Sequence, residues 1–340
     1  MLSNLFICAS YEKNEFEKHI PAPLFRRRFT LSRRQSAEVT VCGLGFYELY
    51  INGEKITKGR LAPYISNPDD VVYYDKYDLT DYIRSGENVI GVCLGNGLLN
   101  NPGGKTWDFD KAAFRSVPKL AIHFSSDEVR FEADEKFKVF PSPITFDDYR
   151  CGEFYDARRE IDGWSLPGFN DSDWKAPLKA EAPKGIRRYC TAEPIREFDR
   201  IAPVSIEKTD EGFLYDFGVN DSGVCRLKIN GEPGQEVTLR HGEQLVDGNL
   251  GRRFDTNILH RLQLLAYTRL HRLAGLGVER LLERMQQVEV FLRKGVVLGL
   301  GRKLIYLGKV GQDALGSVRD IRPADMRGDD GVAIVRGGHA

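Results

Sequence analysis

Trp107 stands inside "NNPGGKTWDFD", residues 100–110, a glycine-rich polar stretch that also carries Asn100, Asn101, Asp108 and Asp110. These residue types suit a sugar. A flat exposed indole stacks on the apolar face of a pyranose ring, and neighbouring Asn and Asp side chains bind its hydroxyls. Binding groups concentrate on loops held by a rigid scaffold. Trp107, Asp108, Asp110, Asn100 and Asn101 are therefore the candidate ligand-binding residues. Trp164 and Trp174 flank Pro167 and Gly168 in "GEFYDARREIDGWSLPGFNDSDW", residues 152–174. They read as plugs at the edge of a β-sandwich.

Other chemistries find less support. Glycoside hydrolysis needs two carboxyl groups across a sugar. Asp69–Asp70 and Asp147–Asp148 are adjacent pairs that would point to opposite faces of a strand, and both read as solvated loops. No residue is assigned as catalytic. "GNGLLN", from Gly95, lacks the third glycine of a dinucleotide loop. "NDSDW" opens like a calcium loop, but Lys175 and Ala176 stand where the fifth and sixth positions need an oxygen ligand and a glycine. Cys/His metal spacing and a G-x-S-x-G nucleophile are both missing, so no metal and no cofactor are expected. His241, in "TLRHGEQL", reads as a residue on a sheet face.

The elements that would position these residues are strands. "FRRRFTL" alternates, and "AEVTVCGLGFYELYINGEKI" carries β-branched and aromatic residues on a two-residue period around the turn signal Asn52–Gly53. "VVYYDKYDLTDYI" and "ENVIGVCLGNG" add two more strands, and "KLAIHFSSDEVRFEADEKFKVF" reads as a hairpin bent at "SSDE". "GFLYDFG", "GVCRLKI" and "EVTLRHGEQL" continue the pattern after a Pro- and Ala-rich linker at residues 177–194. Short, regularly spaced strands predict a mainly β protein: a jelly-roll-like sandwich over residues 5–180 and a partial second β-domain over 190–256. Residues 257–340 form an atypical tail. "NILHRLQLLAYTRLHRLAG" and "GVERLLERMQQVEVFLRKG" fit amphipathic helices, and the remainder reads as disordered.

The 340 residues carry no net charge, which gives no argument for nucleic acid or an anionic membrane as partner. That balance hides a split: net −6 over residues 1–257 and net +6 over 258–340, where the aromatics are reduced to Tyr267, Phe291 and Tyr306. The tail is expected to be a frameshifted or otherwise unrelated reading of the locus. An unfinished second β-domain would expose an unpaired sheet edge and favour self-association. Six cysteines without a C-x-x-C pair read as buried free thiols. With no signal peptide and no apolar run long enough to span a membrane, a cytoplasmic location is expected.

The string "FRRRFTL…GLGFYELYINGEKI…LAPYISNPDDVVYYDKYDLTDYI…GENVIGVCLGNG" resembles the N-terminal β-sandwich module of bacterial α-L-rhamnosidases. "YRCGEFYDARREIDGWSLPGFNDSDW" is similar to that family's segment where the module ends. "EPIREFDRIAPVSIEKTDEGFLYDFGVNDSGVCRLKINGEPGQEVTLRHGEQLVDGNL" is similar to the start of the next β-domain. The resemblance covers roughly residues 20–250. It implies that the acidic, tryptophan-bearing stretch is a structural junction. It also implies that catalysis, an inverting hydrolysis of terminal α-L-rhamnose, belongs to a later (α/α)6 barrel whose D-C-P-Q-R-like segment is missing here. Val219 and Val224 depart from the family's usual glutamine and aromatic residue. The expected function is thus that of a non-catalytic N-terminal part, with a rhamnose-containing glycoside or oligosaccharide as ligand. The alternatives are a free-standing carbohydrate-binding module and an interaction domain for another glycosidase chain.

Overall fold

The computed structural model describes residues 2–219 apart from 3, 103–107, 149–151 and 210–211; beyond residue 219 it describes only the backbone of short strands. The chain divides into two units, Met1–Ile195 and Arg196–Ala340.

The first unit begins with β1 (Phe6–Cys8), β2 (Pro23–Leu31), β3 (Ala37–Leu44), β4 (Tyr47–Ile51), β5 (Glu54–Lys55), β6 (Val71–Asp78) and β7 (Gly86–Leu94). It continues through β8 (Lys119–Ser126), β9 (Arg130–Glu132), β10 (Lys138–Pro141), β11 (Ile144–Asp148), β12 (Gly152–Tyr155), β13 (Leu178–Ala180) and β14 (Ile186–Tyr189). One sheet runs β13-β1-β8-β3-β6-β14, with β9 beside β8; the other runs β10-β2-β7-β4-β5. The pairings within them are antiparallel except that of β14 with β6, which is parallel. Asn52 and Gly53 both take positive φ, 52° and 88°, and close the tight turn between β4 and β5 that their residue types foretell.

The two-residue period decides what faces inward. Phe25, Phe29 and Leu31 of β2, Leu49 and Ile51 of β4 and Val92 of β7 belong to one buried cluster with Val39 and Val41 of β3 and Ile122 and Phe124 of β8. Each such side chain contributes roughly 1.5–3 kcal/mol on burial. Arg27 joins that cluster's rim: its guanidinium lies 4.1 Å from the centre of the Phe131 ring and pairs with Asp134.

The outer faces are covered by the last part of the unit. Arg26, Gly91 and Tyr50 are aligned across β2, β7 and β4, opposite in facing to the core row. Trp164 lies over Gly91, where a Cβ would come within 2.7 Å of its Cζ3, and meets Tyr50 edge-on at 5.3 Å. Trp174 stacks on Phe140 at 5.4 Å and on Trp164 at 6.4 Å. Trp164 thus lies on the face of the sheet, whereas Trp174 stands at the edge strand β10, where Val139 pairs with Lys175, as the sequence suggests. Glycine at position 91 supplies the space.

On the opposite sheet, the stretch read as a linker pairs with both edges: Leu178–Ala180 with β1 and Ile186–Tyr189 with β6. Between them Ala180 and Ala182 pack on a second apolar cluster that includes Phe6, Cys42, Val72 and Ala121. Small side chains let this strap lie close to the sheet. Cys8 and Cys42 are buried thiols. Burial pushes both pKa values up, Cys42 to about 12.

The second unit contains β15 (Arg196–Ile201), β16 (Ser205–Thr209), β17 (Gly212–Asp216), β18 (Cys225–Ile229), β19 (Glu236–Gly242), β20 (Leu245–Val246), β21 (Asn249–Leu250), β22 (Leu259–Gln263), β23 (Val288–Leu292), β24 (Leu304–Gly308) and β25 (Val332–Arg336). A sheet runs β16-β17-β24-β19-β22, and two-stranded pairs join β15 to β25, β18 to β23 and β20 to β21. This corrects part of the reading of the tail. Within the two stretches fitted to helices, Leu259–Gln263 and Val288–Leu292 are strands; the other residues of those stretches lie outside the described ones. Pairing with Glu236–Arg240 and Cys225–Ile229 satisfies their backbone groups, a tertiary contribution that a helical period cannot report. Among the described residues, no helix is long and apolar enough to cross a membrane.

Candidate functional site

The loop that leaves β7 is held at its root by amides. The buried Asn100 donates from Nδ2 to Oδ1 of Asn96 (2.6 Å) and accepts the Asn14 backbone N–H on its own Oδ1 (3.1 Å). Asn96 donates its backbone N–H and its Nδ2 to the two carboxylate oxygens of Asp147, each at 2.7 Å. Asn14 closes the network, donating from Nδ2 to the Asp147 carbonyl at 3.1 Å. Asp147 and Asp148 therefore sit in strand β11 rather than in the solvated loop expected, and Asp148 is buried.

Burial pushes the Asp147 pKa up to about 6, outweighing the Asn96 and Gly97 hydrogen bonds that favour the charged form. A carboxyl raised above its unfolded value near 3.8 favours folding while protonated. That contribution is complete below about pH 4 and is lost as pH rises through about 6. Its limit is about 3 kcal/mol. Urea unfolding from pH 4 to pH 7 is expected to show wild type losing stability relative to Asp147→Asn, which cannot titrate. Parallel profiles for the two proteins would contradict this.

Four of the five candidate sugar-binding residues lie among the described residues. Asn100 and Asn101 are buried, and the Asn100 amide is committed to the loop root, so a ligand would have to displace those bonds. Asp108 is exposed and accepts from Lys111 Nζ at 3.4 Å. Asp110 is half-buried, and its carbonyl accepts from Arg115 Nη1 at 3.4 Å. Trp107 lies outside the described residues. In "NDSDW", Asp171 is taken up by Arg26 and Arg28. Among the described residues, no group of three His, Cys, Asp or Glu side chains could hold a metal ion.

A different concavity lies beside this loop. Four separate segments, the β3–β4 turn, residues 63–68, Leu98–Leu99 and Phe114, line a shallow, open concavity together with Tyr73 of β6. Phe46, Tyr64, Tyr73 and Phe114 supply aromatic surface, and Tyr64 meets Tyr73 edge-on at 6.4 Å. Tyr64 is 60% exposed, so one ring is presented to solvent. No charged side chain lines the cleft among the described residues. The sequence reading missed this site because its rings come from segments that only the tertiary fold assembles. The motif "LAPYISNP" did place Tyr64 between two prolines, which was a faint signal.

Fold and topology define a β-sandwich module followed by a second β-unit. Residues 32–199 match the alpha-L-rhamnosidase N-terminal domain, and residues 206–277 match the bacterial alpha-L-rhamnosidase concanavalin-like domain. The chain belongs to the alpha-L-rhamnosidase family, carrying its N-terminal domain and the start of its concanavalin-like domain. An alpha-L-rhamnosidase of Formosa agariphila is 31% identical over 250 residues, which is 68% of this chain and 26% of that protein. The structure of the alpha-L-rhamnosidase from Dictyoglumus thermophilum matches with a TM-score of 0.70 at 30% identity, covering 91% of this chain and 34% of that one. The Streptomyces avermitilis alpha-L-rhamnosidase complexed with L-rhamnose shares the fold, with a TM-score of 0.67 at 23% identity over 86% of this chain and 28% of that one. The chain spans about a quarter of the length of the curated relatives it matches.

Proposed function

We propose that this chain is the non-catalytic N-terminal part of an α-L-rhamnosidase, an enzyme that hydrolyses terminal α-L-rhamnose. The observation that carries the reading is the ordered match of two successive domains of that family. In this reading, catalysis belongs to the larger part of the family's length, which the chain does not span. The carboxylates described in the first unit agree with a structural role. Asp147 is tied to Asn96, Asp171 to Arg26 and Arg28, and Asp75 accepts from the Tyr47 hydroxyl. An inverting hydrolysis needs two carboxyl groups roughly 6.5–9.5 Å apart across the sugar, and among the described residues the aromatic cleft presents none. The ligand class in this reading is a rhamnose-containing glycoside, the sugar held by the Streptomyces avermitilis relative.

The test is hydrolysis of a chromogenic α-L-rhamnoside by the purified, monodisperse chain. No turnover is expected. Turnover that survives repurification would overturn the reading and place acid–base chemistry within these β-units. A second reading, a free-standing carbohydrate-binding module, is favoured by one observation, the exposed aromatic cleft around Tyr64.

A further inference from the structure

We propose that Asn96–Gly97 is a self-modification site: the Gly97 nitrogen closes on the Asn96 side-chain carbonyl carbon to form a cyclic imide, with Asp147 as the acid–base group. Asparagine followed by glycine is the dipeptide least hindered for that closure, because glycine puts no Cβ beside the attacking nitrogen. Two such pairs lie among the described residues, Asn96–Gly97 at the root of the loop after β7 and Asn52–Gly53 in the β4–β5 turn. They differ in what surrounds the amide. At Asn96 one carboxylate reaches both nitrogens that the reaction uses. Asp147 accepts from Asn96 Nδ2, the leaving group, at 2.7 Å, and from the Gly97 N–H, the nucleophile. From the other side Asn100 Nδ2 donates to Asn96 Oδ1 at 2.6 Å, where negative charge develops on attack. At Asn52, Nδ2 donates to the Tyr82 carbonyl and to Asn88 Oδ1, and Oδ1 accepts from the Val89 N–H. None of these groups is a base.

The step balances within the site. The Gly97 proton passes to the Asp147 carboxylate as the new C–N bond forms. It then passes to Asn96 Nδ2 as the old C–N bond breaks, and ammonia leaves. A carboxyl group whose pKa is raised to about 6 can act first as base and then as acid near neutral pH. Asn96 is 1% exposed, so water has little access to the imide, which should persist rather than open at once to aspartate or isoaspartate. Closure consumes the Gly97 N–H and the Asn96 side-chain amide together. Of the three donors that hold Asp147, only the Asn96 backbone N–H then remains. The reaction therefore loosens the loop root in which it occurs.

Ageing the purified 340-residue chain at neutral pH, with peptide mass spectrometry after digestion in acid, tests the proposal. Loss of one ammonia should accumulate at Asn96–Gly97 about tenfold faster than at Asn52–Gly53, well within what a positioned acid–base group contributes. Exposure alone orders the two pairs the other way, since Asn96 is buried and Asn52 is half-buried. Asp147→Asn, which keeps the side chain's size, should slow the reaction at Asn96 about 100-fold. A carboxylate that only pinned the amide would give the opposite result, a faster reaction once it is gone. An equal or faster reaction in Asp147→Asn, no ammonia loss at Asn96 in wild type, or Asn52 reacting first would each overturn the proposal. The comparison of Asn96 with Asn52 is made within the wild-type chain, so it decides the matter even where Asp147→Asn does not fold.

Discussion

Asp171→Ala is expected to cost about 3–5 kcal/mol of folding stability, the scale for breaking a buried ion pair by removing one partner. Arg26 is completely buried, and its guanidinium meets the Asp171 carboxylate and, from Nη2, the Leu166 carbonyl at 3.2 Å. Burial, then the nearby Arg28 charge, already lowers the Arg26 pKa to about 10. Removing the carboxylate leaves a buried cation without its ion-pair partner under the tryptophan-bearing cover. Arg28→Ala makes the contrast. Its side chain is half exposed and reaches the same carboxylate at 3.1 Å, so its loss should cost about 1 kcal/mol or less. Urea unfolding followed by tryptophan fluorescence measures both. A small loss for Asp171→Ala, comparable with Arg28→Ala, would show that the buried pair does not hold the cover in place.

Trp174→Ala should be about as damaging, with a loss of about 3–5 kcal/mol. Its indole is 5% exposed and stacks between Phe140 and Trp164, with Phe169 edge-on at 5.9 Å. The backbone on either side is fixed, since Lys175 and Val139 exchange hydrogen bonds at 2.8 and 3.1 Å. The surroundings therefore cannot collapse into the vacated volume, and the cavity adds to the lost burial. Circular dichroism is the right probe, because one of the chain's three tryptophans is removed. A loss under 1 kcal/mol would mean that the indole is not packed as described.

The inner faces of the sandwich were legible because alternation is local. "FRRRFTL" and "AEVTVCGL" announce strands whose inward residues are buried, and Asn52–Gly53 announces its own turn. The covers were not. Ile186–Tyr189 is largely exposed and carries no alternating pattern, so only its pairing along β6 makes it a strand. Asp147 read as solvated because adjacent carboxylates usually are; the amides that hold it, Asn14 and Asn96, lie far away in sequence. In the loop after β7, Asn100 anchors the root through Asn96 and Asn14, partners that its sequence neighbourhood does not announce, and the aromatic concavity lies next to it.

The covers impose an order on synthesis. By Pro141 the chain has made every strand of the two main sheets except β13 and β14. Yet the outer row of Arg26 and Gly91 is covered by Trp164 and Asp171, and the opposite outer face around Cys42 and Ala121, partly covered by Leu2, Leu99 and Phe114, is completed by Ala180, Ala182 and Arg187. A ribosome therefore extrudes a nearly complete sandwich whose outer faces are only partly covered, with β1 and β6 as unguarded edges. Nascent chains stalled before Arg187 are the ones a chaperone would hold longest, and release should come with the final strap.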